Sequence, residues 1–197
     1  MAEAPHEQTL AHLRLLAGLP GYWELRALHR EAGSRMLPRG SFWIVATATD
    51  NGLLYERLDE ASTWADHHDR QGSEVFVGVN ARSIEGKTKA AIPAVTACFA
   101  DLDLGGESID EALAALTGGA TPAPSFIVHS GNGLHAVWLL REASRDKARW
   151  RVIQHALVRH FANLGADPAC APDEARVLRL VPYPNRKLSP RASLLLW

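Results

Sequence analysis

The sequence predicts an α+β fold, and three observations carry that expectation. Apolar segments of strand length recur, and two of them, at 125–130 and 134–140, are joined by Gly131-Asn132-Gly133, a strong hairpin signal. Helical periodicity occurs elsewhere with its own start and stop residues, Ser108 with Glu111 as a capping box and Gly165 as a terminator. Strands and helices then follow in mixed order, without the regular alternation of a doubly wound sheet.

Taken along the chain, residues 6–33 place apolar positions at helical spacing and read as one or two helices, broken at "GLPGY". "SFWIVAT" (41–47) is a strand, "NGLLYER" opens with a turn signal, and "ASTWADHHDRQG" is a short helix ending at Gly72. "EVFVGVN" (74–80) and "VTACFADLD" (95–103) are strands, separated by a polar loop with Arg82, Lys87 and Lys89. "IDEALAALTGG" follows the capping box as a helix. Ser144 can cap a helix over 145–164, with Trp150, Ile153, Leu157, Phe161 and Leu164 on one face. "RVLRLVPYPNRK" is a last strand entering a proline-rich basic turn, and "ASLLLW" is an apolar end that would pack against something.

Composition narrows the class. The 197 residues suffice for one core or two small lobes sharing a cleft, and 47% apolar with 22% charged residues is ordinary for a soluble protein. No apolar run reaches bilayer length and the start lacks a leader pattern, so no membrane is expected and the expected location is cytoplasmic. Two cysteines are too few for a disulfide framework or a cysteine-built zinc site. The net charge of −1 hides an asymmetry: residues 1–140 carry 10 basic against 17 acidic side chains, residues 141–197 carry 11 against 5. An acidic portion beside a basic one suits a site with cations on one wall and phosphates on the other, or equally an ordinary solvated surface.

Three segments carry candidate chemistry. In "ACFADLDLGG", residues two apart on a strand share a face, so Asp101 and Asp103 point together, away from Cys98, Ala100 and Leu102. Paired carboxylates need a cation, and hard divalent ions prefer such oxygens, although D-x-D alone also describes a strand ending in solvent. In "FIVHSGNGLHAVWLL", Ser130, Gly131, Asn132 and His135 lie at a glycine turn whose hydroxyl, amides and imidazole could grip a triphosphate; an ordinary hairpin has the same residues. In "GADPACAPDEARVLRLVPYPNRK", Asp167 sits just past a helix end, Asp173 begins a polar turn and Asn185 lies in the last turn. Arg176 and Arg179, expected on opposite strand faces, and Lys187 could neutralise phosphate or hold a nucleic-acid backbone, or be solvated surface charges. Trp43, Tyr55, Trp138 and Tyr183 could stack bases or serve as core, and His67, His68, His155 and His160 show no ligand spacing.

In this order the three segments resemble the signature of the archaeo-eukaryotic primase superfamily, most like the compact primase-polymerases of plasmids, phages and mobile elements. That signature is a D-x-D strand, a strand written S-G-x-G-x-H, then a third aspartate, R-x-x-R and a turn ending in H-x-K or N-x-K. Here the parts are Asp101/Asp103, "HSGNGLH", Asp167, "RVLR" and "PNRK", over roughly residues 40–190. Asp167, Asp173, Arg176 and Arg179 keep the spacing of the third motif; the turn departs from the usual pattern by losing its glycine and gaining prolines.

The resemblance implies an RRM-like antiparallel sheet bearing the catalytic aspartates plus a small α/β lobe, with a helical segment at 1–35 and a catalytic core at 36–197. It implies a metal-dependent nucleotidyltransferase, a DNA primase or DNA polymerase of DNA replication, with two Mg²⁺ or Mn²⁺ ions held by Asp101, Asp103 and Asp167. His135 would join the catalytic set. Ser130, Gly131, Asn132, His135, Arg176, Arg179, Lys187 and Arg82 would bind nucleotide. The implied partners are a single-stranded DNA template, an NTP or dNTP, and a helicase or C-terminal helical domain outside this chain. The competing readings are a nucleic-acid-binding module without activity, which should have lost ligands first, and a D-x-D sugar-nucleotide transferase, which leaves the Asp167-to-Arg179 spacing unexplained.

Overall fold

The computed structural model describes residues 5–31, 35–105, 108–187 and 193–196. Two antiparallel sheets share one continuous apolar core. The first contains β1 (Gly21–Arg30), β2 (Met36–Thr49), β3 (Gly52–Glu56), β4 (Glu74–Gly78) and, late in the chain, β8 (Val177–Arg179), in the order β3-β2-β1-β4-β8. The second contains β5 (Val95–Asp103), β6 (Phe126–His129), β7 (Gly133–Ser144) and β9 (Ser193–Leu196), in the order β5-β7-β6-β9. Helices α1 (Pro5–Leu16) and α2 (Leu58–Arg70) belong to the first lobe, α3 (Ile109–Thr117) and α4 (Lys147–His160) to the second.

The α+β expectation holds, with the aspartate pair on an antiparallel sheet and a second lobe of sheet and helices beside it. Strands β5 and β6 both lie antiparallel to β7, hence parallel to each other, so α3 is the crossover between them. The segment from β5 through α4 has the β-α-β-β-α order of an RRM-like unit. The apolar end is strand β9, paired to β6 from Phe126↔Leu196 to His129↔Ser193. Among the described residues no helix is long and apolar enough to cross a membrane.

The helical reading of 6–33 holds only for α1. Residues 21–30 form β1, paired with β2 from Gly21↔Ala46 to Arg30↔Met36, so a boundary at residue 35 falls between two paired strands. The reason is period-two patterning. Trp23, Leu25 and Ala27 are buried on one face, while Glu24, Arg26, Leu28 and Arg30 share the other. Helix α1 packs back onto the body, where Thr9 Oγ1 donates to the Val181 carbonyl at 3.1 Å and His12 Nδ1 accepts from Val181 N at 3.3 Å.

Helix α4 is also shorter than expected. Its N-cap is Asp146, whose side chain accepts from Arg149 N, and it ends at His160. The buried face is Trp150, Gln154 and Val158 with Phe161, leaving Ile153 47% exposed. A polar Gln154 replaces the expected apolar residue because of what lies beneath it.

Candidate active site

Strand β5 is an edge strand, and the backbone groups along its open edge need partners. They receive them in sequence order. Trp150 Nε1 donates to the Ala97 carbonyl at 2.9 Å. The fully buried Gln154 amide accepts from Phe99 N at 3.1 Å and donates to Phe99 O at 2.6 Å. Beyond α4, the Ala166 segment forms a bridge to Leu102; Asp167 N donates to Asp101 O at 2.8 Å and Asp103 N donates to Gly165 O at 3.0 Å. That bridge brings Asp167 beside Asp101. Gly165 permits it, with φ +72° and no room for a Cβ against the Asp103 carbonyl oxygen.

At the far end of β5, buried Asn80 Oδ1 accepts from Thr96 N and Ala97 N at 2.7 and 3.1 Å, and its amide donates to Glu174 O at 3.0 Å. One side chain thus ties the end of β4 to β5 and to the turn leading into Arg176.

Asp101 and Asp103 share a strand face, as expected, Asp101 half-buried and Asp103 exposed. Arg176 Nη2 lies between Asp101 Oδ2 and Asp167 Oδ2, at 2.8 and 2.6 Å. His135, directly across β7 from Asp101, places Nε2 3.4 Å from Asp101 Oδ1. Burial alone would raise the Asp101 pKa, but His135 and Arg176 outweigh it and hold the carboxyl well below the usual range. Arg176 is driven the other way: burial disfavours its charge, and the neighbouring acidic groups more than restore it.

Asp101, Asp167 and Cys170 form a group whose candidate ligand atoms all lie within 4.8 Å of one another. Cys170 is fully buried, and burial pushes its thiol up to about 12, so at neutral pH it is protonated and the oxygens are the available donors. Asp103 stands outside that tight group but lines the same cavity as Asp101.

This cavity, of about 350 Å³, lies between the two lobes' strands. Asp101, Asp103, Ser130 and His135 line it from the second sheet, with Asp173, Arg176, Arg179 and Asn185 from the returning segment. Ser130 closes the hairpin turn through its N–H to Gly133 O at 2.9 Å. His135 Nδ1 is buried and has no hydrogen-bond partner among the described residues. Gly131 and Asn132 sit at the half-exposed tip, outside the cavity lining.

Arg176 and Arg179 were expected on opposite faces but line one cavity, because Arg176 precedes the three-residue β8 and lies in a turn held by its N–H to Asp173 O. Lys187 is exposed and outside the lining, while its neighbour Arg186 is spent on Asp69 of α2 at 2.7 Å. Arg82 corrects the expectation most sharply. It is 1% exposed, packed against Gly78 and 2.8 Å from the buried Glu24 carboxylate, so it is a structural cation rather than one presented to nucleotide.

The first lobe contributes residues that the sequence reading did not single out: Arg26, Leu28, Arg30, Met36 and Phe76. The alternation in "YWELRALHR" was the available signal, since it puts Arg26 and Arg30 on one strand face.

No family model and no curated protein matches the sequence. Solved structures do. The chain is similar to the AEP domain of the cyanophage S-2L primase-polymerase, with TM-score 0.68 and 22% identity over 96% of this chain and 88% of that one. It is also similar to the catalytic domain of primase RepB′, solved in complex with initiator DNA, with TM-score 0.58 and 17% identity over 97% and 84%. At such identities the likeness shows the fold.

Proposed function

Starting from the archaeo-eukaryotic primase fold of this chain, we propose that it is a DNA-templated nucleotidyltransferase, a primase or DNA polymerase acting on single-stranded DNA. The observation that supports this most is the convergence on one cavity of Asp101, Asp103, Ser130, His135, Arg176 and Arg179, with Asp167 hydrogen-bonded alongside.

The donor set fits a hard divalent ion. Two carboxylates within ligand distance of each other, a third on the same strand face and a thiol kept protonated by burial favour Mg²⁺ or Mn²⁺ over a soft metal. Asp101, Asp103 and Asp167 would hold it. Bound there, two such ions would stabilise the attacking and leaving oxygens of an in-line transfer to an α-phosphate.

The chain's own groups supply the rest. Asp101 stays ionised throughout the physiological range, so it acts only as an acceptor and ligand. The Ser130 hydroxyl and the His135 ring would donate to the β- and γ-phosphates of an NTP or dNTP. Arg176 and Arg179 offset charge on the departing pyrophosphate. His135 also orients Asp101 through their contact at 3.4 Å.

The test is synthesis on unprimed single-stranded DNA with labelled nucleotides and Mn²⁺ or Mg²⁺, with Asp101→Ala/Asp103→Ala in parallel. Short products from wild type alone support the reading. Products from neither protein, with both folded and neither extending a supplied primer, contradict it.

A further inference from the structure

We propose that the cleft-facing arginines of β1, Arg26 and Arg30, bind the phosphodiester backbone of a nucleic-acid strand, and that the buried Glu24 and Glu74 position them. The inference rests on the nucleotidyltransferase reading for its ligand class, and extends it to a wall of the cavity opposite the aspartates.

Two fully buried carboxylates, Glu24 and Glu74, lie on this same sheet face, each clasped by two guanidinium groups. Glu24 takes a two-pronged contact from Arg26, Nε and Nη2 both at 2.8 Å, and a second cation from Arg82 at 2.8 Å. Glu74 binds Arg30 Nε at 2.8 Å through one oxygen and Arg179 Nη2 at 2.6 Å through the other. Four guanidinium groups against two carboxylates leave two positive charges in surplus. Arg82 is buried away from the cavity, so the surplus faces it through Arg26, Arg30 and Arg179. Arg179 is 5% exposed, and its Nε has no hydrogen-bond partner among the described residues.

Buried ion pairs are poor stabilisers compared with apolar packing of the same volume. Here they fix rotamers: an arginine held by one edge on a carboxylate keeps its remaining N–H donors aimed outward without losing side-chain entropy on binding. Arg26 and Arg30 lie four residues apart on an extended strand, so their Cα atoms are about 13 Å apart. That span exceeds one triphosphate and suits phosphates two apart on an extended polynucleotide strand. Leu28 lies between them on the same face, and Phe76 lines the same cavity, giving sugars and bases an apolar surface beside the charges.

The experiment compares wild type with Arg26→Gln/Arg30→Gln, each glutamate keeping one arginine so that the fold survives. Affinity for a fluorescent single-stranded oligonucleotide is measured by anisotropy across a salt series. Affinity for an NTP and a dNTP is measured separately by calorimetry. The double variant should lower the log K against log [salt] slope by about 1.4, roughly 0.7 per lost phosphate contact, with nucleotide affinity unchanged. Each single variant should lower it by about half that. Arg30→Lys keeps the charge but loses the Nε contact that orients the guanidinium on Glu74, so affinity should fall several-fold with the slope retained; wild-type affinity there would remove Glu74 as a positioning residue. An unchanged slope in the double variant overturns the assignment. Loss of nucleotide binding with strand binding intact also overturns it. Wild type that binds strand but incorporates no nucleotide defeats the catalytic reading while leaving this inference standing.

Discussion

Gly165→Ala tests how the third aspartate is delivered. The glycine sits at φ +72°, and a Cβ there would overlap the Asp103 carbonyl oxygen. The left-handed conformation costs an alanine about 1 kcal/mol. The overlap forces the 165–167 segment off β5, removing the Asp103 N–H to Gly165 O and Asp167 N–H to Asp101 O bonds at 3.0 and 2.8 Å. Each such bond contributes about 1 kcal/mol. The expected loss is therefore about 3 kcal/mol by urea unfolding. Activity should fall further, by about 10²-fold, because displacing a reacting-site group by an ångström has that effect. Gly119→Ala is the control: φ is +84° with nothing within 4 Å of the added carbon, so it should lose only about 1 kcal/mol and keep activity. Equal stability losses in the two variants, with full activity in Gly165→Ala, would refute the reasoning.

Three further outcomes are expected. Gln154→Leu strands both Phe99 backbone groups without partners and should destabilise by about 2–5 kcal/mol in urea unfolding; a loss below about 1 kcal/mol would mean the edge is satisfied otherwise. Arg82→Met should cost about 3 kcal/mol of stability, from the lost hydrogen-bonded contacts to Glu24 and the Asn80 carbonyl, while nucleotide KM stays at the wild-type value; a raised KM would return Arg82 to the nucleotide site. His12 is buried, and burial, with His135 nearby, lowers its pKa to about 3. A folded pKa below the unfolded value means stability is full above about 6.5 and is lost as pH falls toward 3, at about 1.4 kcal/mol per unit. His12→Asn, which keeps an acceptor for Val181 N, should flatten that slope between pH 6.5 and 4.

The strand carrying the aspartates was legible because nothing local competes with it: "VTACFADLD" is β-branched and apolar, and β5 spans the same residues. The capping box at Ser108 and Glu111 was legible for the same reason, both of its hydrogen bonds being local. The glycine turn between β6 and β7 likewise set the positions of Ser130 and His135 from within one hairpin. The errors came where the tertiary environment decides. "GYWELRALHR" satisfies helical and strand periods about equally, and only pairing with β2 and β4 selects the strand. Misreading it hid Arg26 and Arg30. Arg82 belongs to a polar loop in sequence, yet the Glu24 that neutralises it lies 58 positions away. Gln154 broke the expected apolar face of α4 because its partners are backbone atoms of another element, which no side-chain pattern records.

The most direct measurement is Mn²⁺ binding, followed by electron paramagnetic resonance, to wild type, Asp101→Asn, Asp167→Asn and the double variant. Because the bridge at Leu102 and Ala166 joins these carboxylates into one site, each single change should weaken binding about tenfold or more, and the double change should do little more than either alone. Wild-type affinity in Asp167→Asn, or effects that add as if the two aspartates held separate ions, would contradict the assembly of one metal site from β5 and the segment that returns beside it.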